Sequence, residues 1–185
     1  MMTIYYTKAF LLMPIHTPTQ LLQKRKLPPR AQEKAEVLHI GFMTMGKLSL
    51  GARIIQEGGR GSIFKSVFGM QEKEQLLKAS QCYLYTTAGP IAGILFVSTE
   101  KVAFYSERPI TFSSATGELV RAPYKVLIPI GRIKEVNESQ NVNKAEQKYI
   151  EIVTEDDSEF WFVGFLRYEK ALKNLNKAIS MANQF

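Results

Sequence analysis

The amino-acid sequence predicts a mainly β domain that ends in one helix, and three features lead to this prediction. Between residues 81 and 163, short apolar or alternating segments follow one another. Gly, Pro, Ser and Asn separate them, as turns require. After residue 167 the apolar positions change to helical spacing. About seven strands capped by one C-terminal helix fit a sandwich or an open barrel, in which the helix covers exposed apolar surface.

Residues 47–80 are predicted to form an amphipathic lead-in and the start of this domain. Ile63, Phe64, Val67 and Phe68 recur at the spacing of one face of a short helix. The glycines at 58, 59 and 61 predict a flexible hinge that interrupts any longer helix. No Gly-Lys-Ser/Thr follows them, so they do not form a phosphate-binding loop.

The first strands are predicted from a period of two. Segment 81–87 places Cys82, Leu84 and Thr86 on one face and its tyrosines on the other. Residues 87–90 read as a turn, 92–98 as a buried strand and 102–106 as the next strand. A tight connection at 98–101 joins the predicted strands at 92–98 and 102–106.

The middle of the domain is less regular. The Pro, Ser and Gly residues of 107–123 predict a long loop around a short strand at Ile110–Phe112. Further strands are predicted at 124–130, 132–138, 148–154 and 159–163, with a hairpin turn at 155–158. Pro129 places the end of the 124–130 strand at a sheet edge or bulge.

The last predicted element is an amphipathic helix that closes the domain over residues 81–182. Its apolar stripe consists of Tyr168, Ala171, Leu172, Leu175, Ala178, Ile179 and Ala182. Lysines occupy the opposite face, which we expect to face water.

The net charge of +7 is concentrated before the predicted domain. Residues 1–60 contain nine basic and three acidic residues, whereas residues 61–185 contain 15 and 14. We interpret residues 1–46 as a basic, flexible N-terminal segment. The Lys-Arg-Lys cluster at 24–26 raises nuclear import as an alternative to a cytoplasmic location with peripheral membrane contact.

Long contiguous segments resemble a known plant family. They are FKSVFG (64–69), residues 74–109, PYKVLIPI (123–130), KYIEIVT (148–154) and FWFVGF (160–165). From about Lys47 to about Ser180 the chain is similar to the GRAM-domain proteins called GEM-like or ABA-responsive proteins. The resemblance implies a pleckstrin-homology-like fold, with the GRAM core at about 61–139. It also implies an intracellular lipid- or protein-binding module without catalytic residues, in a hormone or stress-response context.

The residues themselves predict no catalytic site, metal site or cofactor. His16 and His39 lie in the irregular N-terminal part without acidic or Cys partners at ligand spacing. Cys82 alternates with aromatic residues, which favours a small core side chain over a reactive thiol. Glu155-Asp156-Asp157 lacks the Gly and distal Glu of a calcium loop and fits a solvated turn.

A binding surface therefore has to come from exposed loops and cations. The first hairpin loop, predicted at 86–93, contains no basic residue, although Pro90 and Ile91 there could enter a membrane or a partner groove. The alternative is that Ile91 folds onto the core. The candidate cations are Lys101, Arg108, Arg121, Lys125 and Arg132, together with Lys134. The alternative is that these cations lie on a solvated face, where they pair with Glu100, Glu107, Glu118 and Glu135.

Two hypotheses follow for the function. The first is a non-enzymatic module that binds an anionic membrane lipid of the phosphoinositide type, a protein partner, or both. The alternative is a protein-interaction adaptor without lipid contact, which the cation-free first hairpin favours. Nucleic acid is a disfavoured partner because residues 61–185 carry a net charge of only +1. The sequence leaves the oligomeric state open.

Overall fold

The computed structural model describes residues 59–184 with the exception of 87–88, 114–116 and 142–145. The predictions for residues 1–46, including both histidines and the basic cluster, lie outside the described residues. The described chain contains helices α1 and α2 and strands β1–β7. They are α1 (Arg60–Phe68), β1 (Leu76–Thr86), β2 (Gly89–Ser98), β3 (Lys101–Ser113), β4 (Leu119–Pro129), a 3-10 turn (Ile130–Arg132), β5 (Ile133–Gln140), β6 (Lys148–Thr154), β7 (Glu159–Val163) and α2 (Tyr168–Ala182).

The seven strands form one antiparallel sheet in the order β4-β3-β2-β1-β7-β6-β5. The two outermost strands, β4 and β5, do not pair with each other, so the sheet is not closed into a barrel. The prediction of about seven strands capped by a C-terminal helix, in a pleckstrin-homology-like arrangement, is confirmed. Pro129 ends an edge strand, where its missing N–H costs no ladder hydrogen bond.

The main core lies between the inner face of the sheet and α2. Helix α2 buries Ala171, Leu172, Leu175 and Ala178 against apolar side chains from β1–β3, β6 and β7. As predicted, Cys82 and Leu84 point inward, and so do Ile150 and Ile152. Phe160 and Phe162 share this inner face, whereas Trp161 lies on the opposite one.

Helix α1 packs on the outer face of the sheet, where it forms a second cluster. Its Ile63 and Phe64 contact Ile94, Phe96 and Ala103 from β2 and β3. The Phe64 and Phe96 rings lie 5.4 Å apart between centroids. The prediction of a short apolar helix face is confirmed, although Gly61 lies inside the helix rather than before it.

Two predicted boundaries were wrong. Strand β1 begins at Leu76, five residues before the predicted start of the first strand at residue 81. The predicted loop at 107–123 is largely a hairpin, because β3 continues to Ser113 and β4 begins at Leu119. A bulge between Tyr105 and Pro109 resets the register and places Pro109 opposite Pro123.

Candidate functional site

The most exposed large apolar side chain of the described sheet, Leu119, lies on a hairpin that extends beyond the pairing of β2 with β3. That pairing ends at Gly93 and Ser106, whereas β3 and β4 remain paired up to Ser113 and Leu119. We call residues 109–113 and 119–123 the β3–β4 arm. Within the described residues, the arm is a two-stranded ribbon whose strands pair only with each other.

The arm begins at a bulge that Ser106 organises. Its buried hydroxyl accepts a hydrogen bond from Tyr124 N at 2.8 Å and donates one to the Arg108 carbonyl at 2.8 Å. Between Tyr105 and Pro109, β3 has three residues where β4 has only Tyr124. The hydroxyl therefore satisfies backbone groups that the bulge removes from the ladder.

The surface of the arm combines apolar and basic side chains. Leu119 keeps 78% of its surface exposed and Val120 keeps 37%. Arg121 lies on the same strand opposite Thr111, and Arg108 lies at the base of the arm. Both arginines are exposed, and no ion pair within the described residues involves either of them. Large exposed apolar side chains next to free cations are typical of a surface that meets an anionic apolar boundary.

Three of the six candidate cations are exposed on these two strands. Arg121 and Lys125 point to the same face of β4, since they are four residues apart on one strand. The Lys125 ammonium lies 5.9 Å from the centre of the Tyr105 ring, the residue opposite it on β3. Arg108 follows Tyr105 by three residues. The structure thus places Arg108, Arg121 and Lys125 on the same two strands.

Lys101 is not a surface cation. Its ammonium pairs with Glu74 at 2.9 Å, and the side chains keep 11% and 0% of their surface exposed. Ser98 donates a second hydrogen bond to Glu74 at 2.6 Å. Burial opposes ionisation of this carboxyl, but the hydrogen bonds from Ser98 and Lys101 outweigh it and hold the pKa of Glu74 below its ordinary value. Lys101 therefore serves the folded structure.

Arg132 lies apart from the arm as well. It occupies the 3-10 turn between β4 and β5 and pairs with Glu155 at 2.9 Å. Its neighbour Lys134 pairs with Asp157 at 2.7 Å. Both carboxylates belong to the β6–β7 turn, which sequence inspection had not connected with these cations. The pairs are exposed, so each contributes little to stability.

Pro90 and Ile91 lie in strand β2, not in a loop. Pro90 is opposite Tyr85 and Ile91 is opposite Leu84. Ile91 is half-buried and packs against the main core, which agrees with the predicted alternative. The connection between β1 and β2 is therefore only residues 87–88, shorter than the predicted loop.

Cys82, which the sequence analysis considered as a possible reactive thiol, is held in a structural position. Cys82 is buried in the main core, and this burial raises the pKa of its thiol and disfavours the nucleophilic thiolate. Among the described residues, no three His, Cys, Asp or Glu side chains lie close enough to hold a metal ion. No helix in the described ranges is long and apolar enough to span a membrane.

Sequence inspection missed Leu119 and Val120, two exposed apolar residues of the sheet. Part of the signal was present, because residues 110–113 alternate in polarity and Gly117 follows them as a turn residue. Gly117 has a φ of 82°, a backbone conformation that favours glycine. The prolines and serines of 107–123 are typical of loops, and for this reason the sequence predicted a loop instead of a hairpin.

Comparison with known proteins places this geometry in a family. The family model for the GRAM domain matches residues 62–184, which include every described strand and α2. The chain belongs to the GRAM-domain family. It is 56% identical to GEM-like protein 4 of Arabidopsis thaliana over 136 residues, which are 74% of this chain and 61% of that protein. It is 54% identical to GEM-like protein 6 of the same plant over 138 residues, or 75% and 63% of the two chains.

These matches confirm the predicted similarity to plant GEM-like GRAM-domain proteins. The chain spans about three fifths of the length of these curated relatives. Among solved structures, the C-terminal domain of an unknown protein from Leishmania infantum superposes with a TM-score of 0.51 at 21% identity, covering 64% of this chain and 96% of that one. This likeness concerns the fold alone.

Proposed function

We propose that this GRAM-domain protein is a non-enzymatic module that docks on an anionic membrane surface through the β3–β4 arm. The observation that carries the proposal is the exposure of Leu119 next to Arg108 and Arg121. Anionic lipids make the cytoplasmic leaflet negative, so a cytoplasmic site of action at the membrane fits this surface. Nuclear import through the Lys-Arg-Lys cluster at 24–26 stays a prediction from the sequence before the domain.

The arm suits a shallow mode of attachment. Leucine and valine side chains gain free energy when they leave water for the acyl boundary. Each arginine near an anionic surface adds on the order of 1 kcal/mol. The sum of a few such terms predicts weak, reversible binding that salt reduces, because exposed charges are screened at physiological ionic strength.

Vesicle co-sedimentation of the full chain tests this proposal. We expect binding to vesicles containing phosphatidylserine or phosphoinositide and none to vesicles of phosphatidylcholine alone. Leu119→Asp should weaken binding roughly tenfold, since burying a leucine is worth about 1.5–3 kcal/mol when complete.

Leu166→Asp is the matched control, because Leu166 is also exposed, at 52%, but lies between β7 and α2. It should bind like the unchanged protein. Equal loss in both variants, or no binding to any anionic vesicle at low salt, would contradict docking through the arm.

A protein-interaction adaptor is the second candidate, and the position of β4 supports it. This strand is an edge of the sheet and carries both exposed and half-buried residues. An extended peptide could add to such an edge through backbone hydrogen bonds. A pull-down that recovers a saturable partner from lipid-free extract, and that Leu127→Pro in β4 abolishes, would favour this function.

A further inference from the structure

A group of four cations lies near the start of β1, at the end of the sheet opposite the arm. They come from three separate elements, so no single segment of the sequence reveals them. The members are Arg60 of α1, Lys78 of β1, and Arg167 and Lys170 at the start of α2. We call these four residues the basic cluster.

The strand register shows how the start of α2 comes close to β1. In the described part of the chain, β7 pairs with β1 only from Tyr83 to Tyr85. The two strands are antiparallel and Val163, the last residue of β7, lies opposite Tyr83, so the chain leaves β7 towards the start of β1. Gly164 still lies against Tyr83, since a Cβ there would be 3.0 Å from its ring. Arg167 follows Val163 by only four residues.

Lys78 interacts with every other member of the basic cluster. Its side chain is half-buried. Partial burial and, after it, the positive charges of the other three members hold the pKa of Lys78 below its ordinary value. Arg60 also donates a hydrogen bond to the carbonyl of Ala79, the residue after Lys78, at 3.3 Å. The four cations therefore form one electrostatic unit.

The described residues provide no carboxylate for the basic cluster. No ion pair between them involves any of its four members. Glu169, the acidic residue in the first turn of α2, pairs with Lys148 of β6 instead. Like charges held close together repel one another, and their combined field attracts an anion from solution.

A buried hydroxyl next to Lys78 has no hydrogen-bond partner among the described residues. Ser80 is 8% exposed, and its Oγ is buried without a partner. Ser80 and Lys78 point to the same face of β1, because they are two residues apart and lie opposite Leu95 and Val97 of the main core. Leaving a buried hydroxyl unsatisfied costs free energy, which an acceptor bound at the basic cluster would restore.

The start of α2 adds backbone donors next to two of the cations. Arg167 is the N-cap of the helix, and no side-chain hydrogen bond caps it. The first hydrogen bond within the helix runs from Ala171 N to the Arg167 carbonyl, so the N–H groups of 168–170 have no partner within the helix. These N–H groups and the helix dipole favour an anion at this end of α2.

We propose that the basic cluster and Ser80 bind the phosphate group of a small soluble compound. Arginine and lysine are the cations that proteins use to hold phosphate, and hydroxyl and helix N–H groups supply further donors. A small ligand fits better than a lipid headgroup, because a flat bilayer does not reach the recessed hydroxyl of Ser80. The site goes beyond the proposed membrane docking, since the arm ends at Ser113 and Leu119, about 35 Å along the sheet from the level of Lys78.

Calorimetric titration of the full chain with inorganic phosphate, at constant ionic strength, tests this proposal. We expect saturable binding at one site. Lys78→Gln should weaken the binding about tenfold, because it removes a charge-assisted hydrogen bond to the anion. Lys177→Gln is the matched control, since it removes the same charge from the exposed face of α2 and should bind phosphate like the unchanged protein. Absence of binding, or equal binding by the two variants, would overturn the proposal.

Thermal unfolding separates binding from an effect on folding. Without phosphate, Lys78→Gln and Ser80→Ala should unfold at the same temperature as the unchanged protein or higher, since one removes repulsion and the other an unsatisfied hydroxyl. Millimolar phosphate should raise the midpoint of the unchanged protein more than chloride of equal ionic strength does, and should raise it less in both variants. An equal rise in all three proteins would show a general salt effect and overturn the proposal.

Two probes with the same phosphate group distinguish a soluble ligand from a lipid. Glycerol phosphate is the soluble probe, and vesicles containing phosphatidic acid present the group on a membrane. We expect glycerol phosphate to compete with inorganic phosphate, and Lys78→Gln to bind the vesicles like the unchanged protein. Vesicle binding that Lys78→Gln abolishes, without binding of glycerol phosphate, would make the basic cluster a membrane contact and overturn the proposal. Leu119→Asp should bind phosphate normally, and loss of phosphate binding in a folded Leu119→Asp would contradict two separate sites.

Discussion

At the scale of single residues, the pair of Lys101 and Glu74 shows how a distant partner determines what a charge does. The two residues are 27 positions apart, and α1 adds the Phe64 ring at 5.4 Å from the ammonium. From the sequence, Lys101 looks like one more cation at a strand end. Its role follows from burial and pairing, which depend on the tertiary structure and which local patterning does not encode.

Replacing Glu74 tests this structural role through its pH dependence. A carboxyl whose pKa is lower in the folded state stabilises the protein above its unfolded pKa, near 4.5, and loses that contribution as the pH falls through the folded value. Glu74→Gln leaves the buried ammonium without its counter-charge, so we expect a loss of about 3–5 kcal/mol at pH 7. Thermal unfolding should show this deficit narrowing as the pH falls below about 4.5.

Glu72→Gln is the control for that experiment, since Glu72 is exposed near the same segment. It should remain within about 0.5 kcal/mol of the unchanged protein at each pH. A deficit of Glu74→Gln that stays constant down to pH 3 would argue against an ionised, hydrogen-bonded Glu74.

Gly93 is a second residue whose role is steric. A Cβ at this position would overlap the Phe104 ring and the Tyr105 carbonyl of the neighbouring strand. We therefore expect Gly93→Ala to destabilise the fold by about 1–3 kcal/mol in denaturant unfolding. Gly131→Ala is the matched control, because its Cβ would meet no atom within 4 Å. Similar stability of the two variants would mean that β2 and β3 approach less closely than described.

At the scale of elements, the sequence predicts those whose apolar pattern is regular. Strands β6 and β7 and helix α2 agree with their predicted spans because Ile150, Phe162 and Leu175 follow simple periods. The β3–β4 hairpin does not, because the bulge at Ser106 shifts the period and two facing prolines resemble loop residues. The candidate site was therefore only partly predictable: Arg108 and Arg121 were identified, whereas their apolar neighbours were not.

Helix α2 is the element whose packing closes the main core, and Leu175 is its most buried large residue, with 0% exposed. Leu175→Ala should lower the free energy of unfolding by about 2–5 kcal/mol, since the substitution removes apolar contacts and leaves a cavity. Lys177→Ala, on the exposed side of the same helix, should change it by no more than about 0.5 kcal/mol. Equal effects in urea unfolding would contradict the assignment of the buried stripe.

At the scale of the whole molecule, most of the net positive charge lies outside the proposed binding surface. The excess of positive charge lies mainly before residue 61, whereas the arm contributes only a few exposed cations. The GRAM fold holds those cations on the same two-stranded ribbon as Leu119. Bulk charge and the arm therefore make different predictions for membrane binding.

The most direct measurement compares full-length charge variants on vesicles containing phosphatidylserine. Arg108→Glu/Arg121→Glu changes the arm, and Lys24→Glu/Arg25→Glu/Lys26→Glu changes the leader. Because each cation contributes on the order of 1 kcal/mol, the arm variant should bind at least about tenfold more weakly. The leader variant should keep most of its binding at physiological salt. Normal binding by the arm variant together with loss in the leader variant would contradict docking through the arm.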